Sequence, residues 1–220
     1  MRKFFYKLSL LCLLVITCSI AVAQPFIDDI KAFKKQDSIS FPPKQAILFV
    51  GSSSFTKWKD VADYFPGYTI INRGFGGSTL VDVIRYANDV IFPYHAKQVV
   101  VYCGENDLAS SDTVTAQMVY HRFKKLFNMI RAKMPNENIA FITLKPSPSR
   151  ARLKSKMLEA NSLIKKFLSK QKNTSFIDVY SKMLNDDGKP KPEIYIEDSL
   201  HMNSKGYVIW QKIIQPYLKN

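Results

Sequence analysis

The sequence predicts an α/β fold, a three-layer α/β/α sandwich with a five-stranded parallel sheet. Five short, continuously apolar runs are typical of strands that are buried on both faces, as in parallel sheets. Between these runs lie stretches with apolar residues three and four positions apart, the spacing of amphipathic helices. Strands that alternate with helices favour one parallel sheet covered on both sides. With 220 residues, the chain has room for one such domain.

The first 23 residues are expected to be a cleaved signal peptide, which leaves one domain over residues 24–220. Residues 1–7 carry three basic residues and no acid, and Leu8–Ala23 is an almost wholly apolar run of 16 residues. That run is shorter than the roughly 20 residues of a spanning helix. Ala21-Val22-Ala23 places small residues ahead of a cut before Gln24. The prediction is a secreted or periplasmic protein with no stable membrane span in the mature chain; the alternatives are an uncleaved anchor and a lipoprotein cut before Cys18.

The charge and cysteine content of the expected mature chain bear on disulfides and metal sites. The chain has a net charge of +14, and loss of the three basic residues of the signal peptide leaves +11. Cys12 and Cys18 leave with that peptide, so Cys103 alone remains, and neither an intrachain disulfide nor a cysteine-rich metal site is expected. We expect no metal ion and no other cofactor.

The elements follow one another in a regular order. Helical spacing begins at Pro25–Lys35 and is interrupted by Ser38–Lys44, which contains two prolines. The predicted strands are Ala46–Val50, Tyr68–Asn72, Gln98–Cys103, Ile139–Leu144 and Ser175–Val179. The other predicted helices are Leu80–Phe92, Val114–Met134, Ala151–Lys170 and Ser204–Leu218.

The sequence also predicts the inward face of one helix, the order of the strands in the sheet and one irregular segment. Within Val114–Met134, the inward-facing residues are predicted to be Met118, Phe123, Leu126 and Ile130. A doubly wound sheet with strand order 2-1-3-4-5 would place the first strand between the second and third. Tyr180–Asn203 shows little periodicity, and a long irregular connection in a compact domain is usually functional or disordered.

Candidate functional groups follow the predicted strands, at the sheet edge where open parallel sheets bind ligands. Ser52-Ser53-Ser54 follows the first strand, Arg73–Ser78 the second, Gly104–Asp107 the third, and Asp198–His201 the long connection after the fifth. Serine is a weak nucleophile until a base removes its proton, and His201 is a candidate for that base. Asp198, three residues earlier, is a candidate to orient the imidazole.

Donors for an oxyanion hole are present in the same segments. The candidates are the backbone N–H groups of Ser53 and Gly77 and the side-chain amide of Asn106. Taken singly, each feature has an ordinary structural interpretation, because serines after strands commonly cap helices and glycine-rich loops commonly form tight turns. Their conjunction at one sheet edge favours acyl transfer. The chain has neither GxGxxG nor GxxxxGK[ST] spacing, so nucleotide binding is not predicted.

These segments resemble the sequence blocks of the SGNH hydrolases, also called GDSL esterases and lipases. The matching blocks are ILFVGSSSFTKW (47–58), INRGFGGST (71–79), GEND (104–107) and Asp-x-x-His (198–201). The resemblance implies the flavodoxin-like SGNH hydrolase fold. It implies Ser53 as nucleophile, Gly77 (less plausibly Gly74) and Asn106 as oxyanion donors beside Ser53, and Asp198 and His201 as the other triad members. Ser52 replaces the usual aspartate, which places the chain nearer the secreted GSSS-type esterases of the family.

The activity that the resemblance implies is that of a secreted serine esterase, one that removes a short acyl group such as acetyl from a carbohydrate. A lysophospholipase-like lipid esterase and a non-catalytic carbohydrate-binding protein on the same scaffold are the alternatives, which fold alone does not separate. Arg150–Lys172 holds eight basic residues against one acid. It is either a solvated helix face or a surface that attracts an anionic surface or polymer. Nucleic acid is not an expected partner.

Overall fold

A computed structural model describes residues 24–220, so the predicted signal peptide lies outside the described residues. Its strands are β1 (Ile47–Gly51), β2 (Ile70–Gly74), β3 (Gln98–Tyr102), β4 (Asn138–Ile142) and β5 (Thr174–Ile177). They form one sheet in the order β2-β1-β3-β4-β5, and every pairing is parallel. Each of the five predicted strands is present, within one or two residues of its expected bounds.

The helices connect these strands and lie on both faces of the sheet. They are α1 (Ile27–Ile39), α2 (Ser53–Thr56), α3 (Val61–Tyr64), α4 (Leu80–Arg85), α5 (Ala87–Val90), α6 (Glu105–Ser110), α7 (Ala116–Lys133), α8 (Lys154–Leu168) and α9 (Ser204–Ile214). Short 3-10 segments follow or precede several of them, at Phe92–Tyr94, Pro148–Leu153, Ser181–Met183, Pro192–Ile194 and Gln215–Tyr217. No helix within residues 24–220 is long and apolar enough to cross a bilayer.

Two hydrophobic cores lie on opposite faces of the sheet. Alternate residues of β1 contribute to each, since successive side chains of a strand point to opposite faces: Leu48 packs with α1, α4, α5, α7 and α8, and Phe49 packs with α2, α3 and α9. Both residues are completely buried. The predicted three-layer α/β/α sandwich is therefore confirmed.

The helices differ from the prediction in several places. The first helix, α1, runs to Ile39, four residues beyond the expected Lys35 and into the expected interruption Ser38–Lys44. The expected helix Leu80–Phe92 is interrupted at Tyr86. The Tyr86 ring is buried, and its hydroxyl donates a 2.7 Å hydrogen bond to the Pro25 carbonyl. The expected helix Ala151–Lys170 begins as a 3-10 segment and becomes α-helical only at Lys154. Met118, predicted to face inward, is 41% exposed, and Val119 is buried in its place. The reason is geometric: positions 119, 123, 126 and 130 form one stripe on a helix, and 118 falls outside it.

The irregular connection Tyr180–Asn203 is packed against the sheet. It contains two isolated antiparallel bridges, Leu184 with Pro190 and Tyr195 with Met202. Met183, Ile194 and Tyr195 are buried in the core beside α9. Core packing and the Tyr195–Met202 bridge therefore fix the position of the last residues of this connection, near the ends of β1 and β3.

Gly51 ends β1 immediately before the serine run. Its φ is 144°, and a Cβ at this position would lie 1.9 Å from the Tyr102 carbonyl oxygen of β3.

We expect Gly51→Ala to lower the free energy of unfolding by about 3 kcal/mol or more, because a backbone clash is added to the strain of a positive φ. Gly67→Ala is the matched control: its φ is 88°, but no atom of the described chain lies within 4 Å of the new Cβ. Strain alone should cost that variant about 1–2 kcal/mol. Urea denaturation compares the two, and equal losses would contradict the role of the clash.

Candidate active site

The turn between β1 and α2 separates the three serines of the run. The Ser52 N–H donates to the Tyr102 carbonyl at 3.1 Å, which keeps Ser52 against β3, and α2 starts at the next residue. Ser52 and Ser54 are buried, with 5% and 3% of their surface exposed, whereas Ser53 is half-buried. Of the three, Ser53 therefore presents its side chain at the edge of the sheet.

Ser53, His201 and Asp198 form a continuous chain of hydrogen bonds. The distance from Ser53 Oγ to His201 Nε2 is 2.9 Å, and His201 Nδ1 lies 2.5 Å from Asp198 Oδ2. The other carboxylate oxygen of Asp198 accepts the N–H groups of Leu200 at 2.9 Å and His201 at 2.8 Å. One carboxylate thus fixes both the imidazole ring and the backbone turn that carries it.

The environment of Asp198 keeps it ionised. Desolvation by burial raises the pKa of Asp198, but the hydrogen bonds from the His201 ring and from the N–H groups of His201 and Leu200 outweigh it and lower the pKa to about 2. At neutral pH this group is therefore a carboxylate. It can stabilise a positive charge that develops on the imidazole.

Asn106 lies on α6, which begins shortly after β3, and lines the same pocket as Ser53. Its Nδ2 donates to Ser52 Oγ at 2.7 Å and to the Ser78 carbonyl at 3.1 Å. Arg150 Nη2 donates to Asn106 Oδ1 at 3.3 Å. An acceptor-only carbonyl on one side and a donor-only guanidinium on the other fix the orientation of the amide. Sequence reasoning found Asn106 but missed its contacts with Ser52 and Arg150.

Gly77 lies in the loop between β2 and α4, with a φ of 86°. Its neighbour Ser78 provides the carbonyl that binds Asn106, and no contact joins Gly77 itself to Ser53. Neither the Gly77 N–H nor the Ser53 N–H has a hydrogen-bond partner in the described part of the chain. By contrast, the N–H of Gly74, the less favoured alternative, already donates to Asn72 Oδ1 at 3.0 Å. This difference favours Gly77 as the free donor of the loop.

A small pocket, with a volume of about 10 Å³, opens beside Ser53 and Asn106. A buried ion pair forms part of its lining: Lys145, 1% exposed, lies 3.4 Å from Glu105 Oε1, and the Tyr102 hydroxyl donates to the other carboxylate oxygen. Burial lowers the pKa of Lys145, and the neighbouring Glu105 carboxylate partly restores it. Sequence reasoning assigned no role to this pair, which gives the pocket a polar lining.

Comparison with known proteins places this arrangement in a family. Residues 37–209 match the model of the GDSL-like Lipase/Acylhydrolase family. No curated protein sequence matches the chain at a significant level.

Solved structures share the fold. A protein assigned as a platelet activating factor from Streptococcus pneumonia is 19% identical, with 87% of this chain and 92% of that chain covered and a TM-score of 0.76. A protein assigned as an acylhydrolase from Bacteroides fragilis is 23% identical, with 85% and 94% covered and a TM-score of 0.73. Axe2, an acetylxylan esterase from Geobacillus stearothermophilus, is 14% identical, with 80% and 94% covered and a TM-score of 0.63.

At these identities the structural likeness concerns the fold, whereas the family model spans well over half of the chain. The chain therefore belongs to the GDSL-like lipase/acylhydrolase family and is an ester-hydrolysing enzyme.

Proposed function

We propose that the protein is a serine esterase that removes short acyl groups, such as acetyl, from a carbohydrate. The observation that carries the serine mechanism is the 2.9 Å contact between Ser53 Oγ and His201 Nε2, with Asp198 on the other ring nitrogen. Export through the predicted signal peptide is part of the proposal, because a secreted or periplasmic enzyme would meet such polymers outside the cytoplasm.

The reaction proceeds in two halves. His201 takes the proton of Ser53 as Oγ attacks the ester carbonyl, and Asp198 stabilises the resulting imidazolium. The imidazolium then protonates the leaving alcohol, and the acyl group stays on Ser53. In the second half, His201 takes a proton from water as the water oxygen attacks the acyl carbonyl. The imidazolium then returns that proton to Ser53 Oγ as the acyl C–Oγ bond breaks, so the carboxylic acid leaves and the free enzyme is restored.

Three donors stabilise the oxyanion that forms in each half. The N–H groups of Ser53 and Gly77 are without partners among the described residues, so they are free to bind it. The Asn106 amide hydrogen now on Ser52 Oγ lies beside Ser53, and we infer that it shifts to the oxyanion as the charge develops. Such donors typically contribute about 3–4 kcal/mol each to the transition state.

The size and polarity of the pocket beside Ser53 favour a short acyl group. Its volume is about 10 Å³, room for roughly one water-sized group, and Lys145 and Glu105 form part of its lining, so it offers little apolar surface to an alkyl chain. That observation weighs against the lysophospholipase-like alternative. The likeness to Axe2, which is described as an acetylxylan esterase, adds support for a carbohydrate as the alcohol portion.

A chain-length series of p-nitrophenyl esters tests this proposal. We expect kcat/KM to be highest for acetate and to fall about tenfold or more by octanoate, because the gain of about 0.8 kcal/mol per buried CH₂ is not available in this pocket. Acetylated xylo-oligosaccharides should then be better substrates than p-nitrophenyl acetate at equal concentration. A rise in kcat/KM with chain length would point to the lipid esterase. A folded protein with no turnover on any ester would point to the non-catalytic carbohydrate-binding protein.

A further inference from the structure

Arg150 is a half-buried cation without an acidic partner among residues 24–220. Its Nη2 donates to Asn106 Oδ1, while its buried Nη1 has no hydrogen-bond partner there. Two other arginines near the same sheet edge behave differently: Arg122 pairs with Asp107 at 2.7 Å and Arg152 with Asp112 at 2.6 Å. Buried charges are normally paired, so the unpaired guanidinium requires an explanation.

Arg150 also lines a second pocket, with a volume of about 110 Å³, and its hydrogen bond to Asn106 links this pocket to the one that contains Ser53. The walls of this second pocket are mostly apolar and include Met157, Tyr180 and Pro190. Lys154 and Lys189 are its other charged lining residues, and none of the described residues that line it is acidic. Lys189 pairs with Asp187, whereas Lys154 contacts only the neutral Gly188 carbonyl, at 3.3 Å. Arg150 and Lys154 are therefore the two cations of this pocket that have no acidic partner among the described residues.

A second unsatisfied group lies in the same pocket. Ser147 is 1% exposed, lines the pocket, and its Oγ has no hydrogen-bond partner in the described part of the chain. Buried polar side chains almost always have a partner, and each exception calls for a specific cause. Two unsatisfied donors in one pocket, one of them cationic, indicate a ligand with negatively charged acceptor oxygens.

The loop that carries Arg150 is tied to the catalytic groups at two points. Arg150 binds Asn106, and the N–H of Ser149 donates at 3.1 Å to the carbonyl of Ser199, between Asp198 and His201. A substrate whose ester group lies at Ser53 therefore extends directly past this loop. The second pocket is placed to receive the part of the substrate next to the ester.

We propose that the second pocket binds a carboxylate-bearing sugar of the substrate, so that the enzyme deacylates an acidic carbohydrate; this inference rests on the proposed function. Arginine matches the planar geometry of a carboxylate with two parallel hydrogen bonds. The apolar walls suit the C–H face of a sugar ring, and a cavity volume of about 110 Å³ has room for several water-sized groups, the scale of a sugar ring and not of a long acyl chain.

The test is a matched pair of substrates, an acetylated methyl galacturonide and the corresponding acetylated methyl galactoside. We expect kcat/KM to be about tenfold or more higher for the acidic substrate, the scale of a charged hydrogen bond. Arg150→Met should remove most of this preference and Arg150→Lys should keep part of it. If the substitution disturbs Asn106, the turnover of both substrates falls equally. The ratio of the two kcat/KM values, acidic over neutral, therefore reports only the contact with the carboxylate. Arg152→Met, in the same segment but exposed and paired with Asp112, is the control and should leave the ratio unchanged.

Equal kcat/KM for the two sugars, or an unchanged ratio in Arg150→Met, would overturn the inference. A preference for a lysophospholipid over the acidic sugar would overturn it too, since the anionic group would then be a phosphate of a lipid. If Arg150→Met fails to fold, Lys154→Met serves the same comparison. Calorimetric titration of Ser53→Ala with methyl galacturonide and methyl galactoside separates the two proposals, because it needs no turnover. Tighter binding of the galacturonide supports the subsite even if no ester is hydrolysed, and equal binding excludes it.

Discussion

Ser53→Ala is expected to lower kcat by at least about 10³-fold, the loss typical of a missing triad member. The reason is that Ser53 is the serine of the run whose Oγ contacts His201, at 2.9 Å. The backbone N–H of residue 53 remains in the variant, so the oxyanion donors persist and account for residual activity. Turnover of p-nitrophenyl acetate measures the effect, with circular dichroism to confirm the fold.

The two neighbouring serines provide internal controls. Ser54→Ala removes a buried hydroxyl, and Ser52→Ala removes the acceptor that holds the Asn106 amide at 2.7 Å. Each should cost about tenfold or less in kcat, because positioning is weakened and no reacting atom is lost. Near-normal turnover in Ser53→Ala with a dead Ser52→Ala or Ser54→Ala would move the nucleophile by one residue. Activity in all three variants would exclude the serine mechanism.

The fold was predictable because its three central strands, β1, β3 and β4, are buried along their whole length. A run such as Val99–Val101 has no polar residue for the exposed face of an amphipathic helix, and it forms the centre of β3. The elements that sequence reasoning missed are short: α2 and α3 have four residues each and α6 has six. Four residues barely complete one turn, so they carry no detectable period of hydrophobicity.

The candidate site was predictable only in part. Its proposed catalytic groups follow strands, where the fold class itself directs attention, and they match blocks of a known family. Arg150 was given no role by the sequence: it ends the stretch Leu144–Arg150, which resembles a loop common in one esterase subgroup, and it begins the basic run that ends at Lys172. In the structure that run is not a single surface: Arg152 pairs with Asp112, Lys156 binds the carbonyls of Asp112 and Val114, and Arg150 turns inward to Asn106. Attraction of this stretch to an anionic surface or polymer stays a prediction.

Asp198→Asn should reduce kcat about 10³- to 10⁴-fold while leaving the fold intact. The asparagine carbonyl can replace Oδ1 as acceptor for the N–H groups of Leu200 and His201, so the turn survives. Its NH₂ group, however, would face His201 Nδ1, where the carboxylate now accepts a hydrogen bond. The imidazole would then carry its hydrogen on Nε2, facing Ser53, and would be unable to act as a base.

The pH dependence separates this effect from a simple change of charge. A pKa of about 2 means that Asp198 stays ionised until the pH falls toward that value, so it does not produce an acid limb in kcat/KM near neutrality. Glu197→Gln makes the same charge change at an adjacent exposed position and should leave kcat near that of the parent enzyme, since exposed charges contribute little. If Asp198→Asn retained more than about a tenth of the parent kcat, the tautomer would not be limiting and Asp198 would not be the group that orients His201.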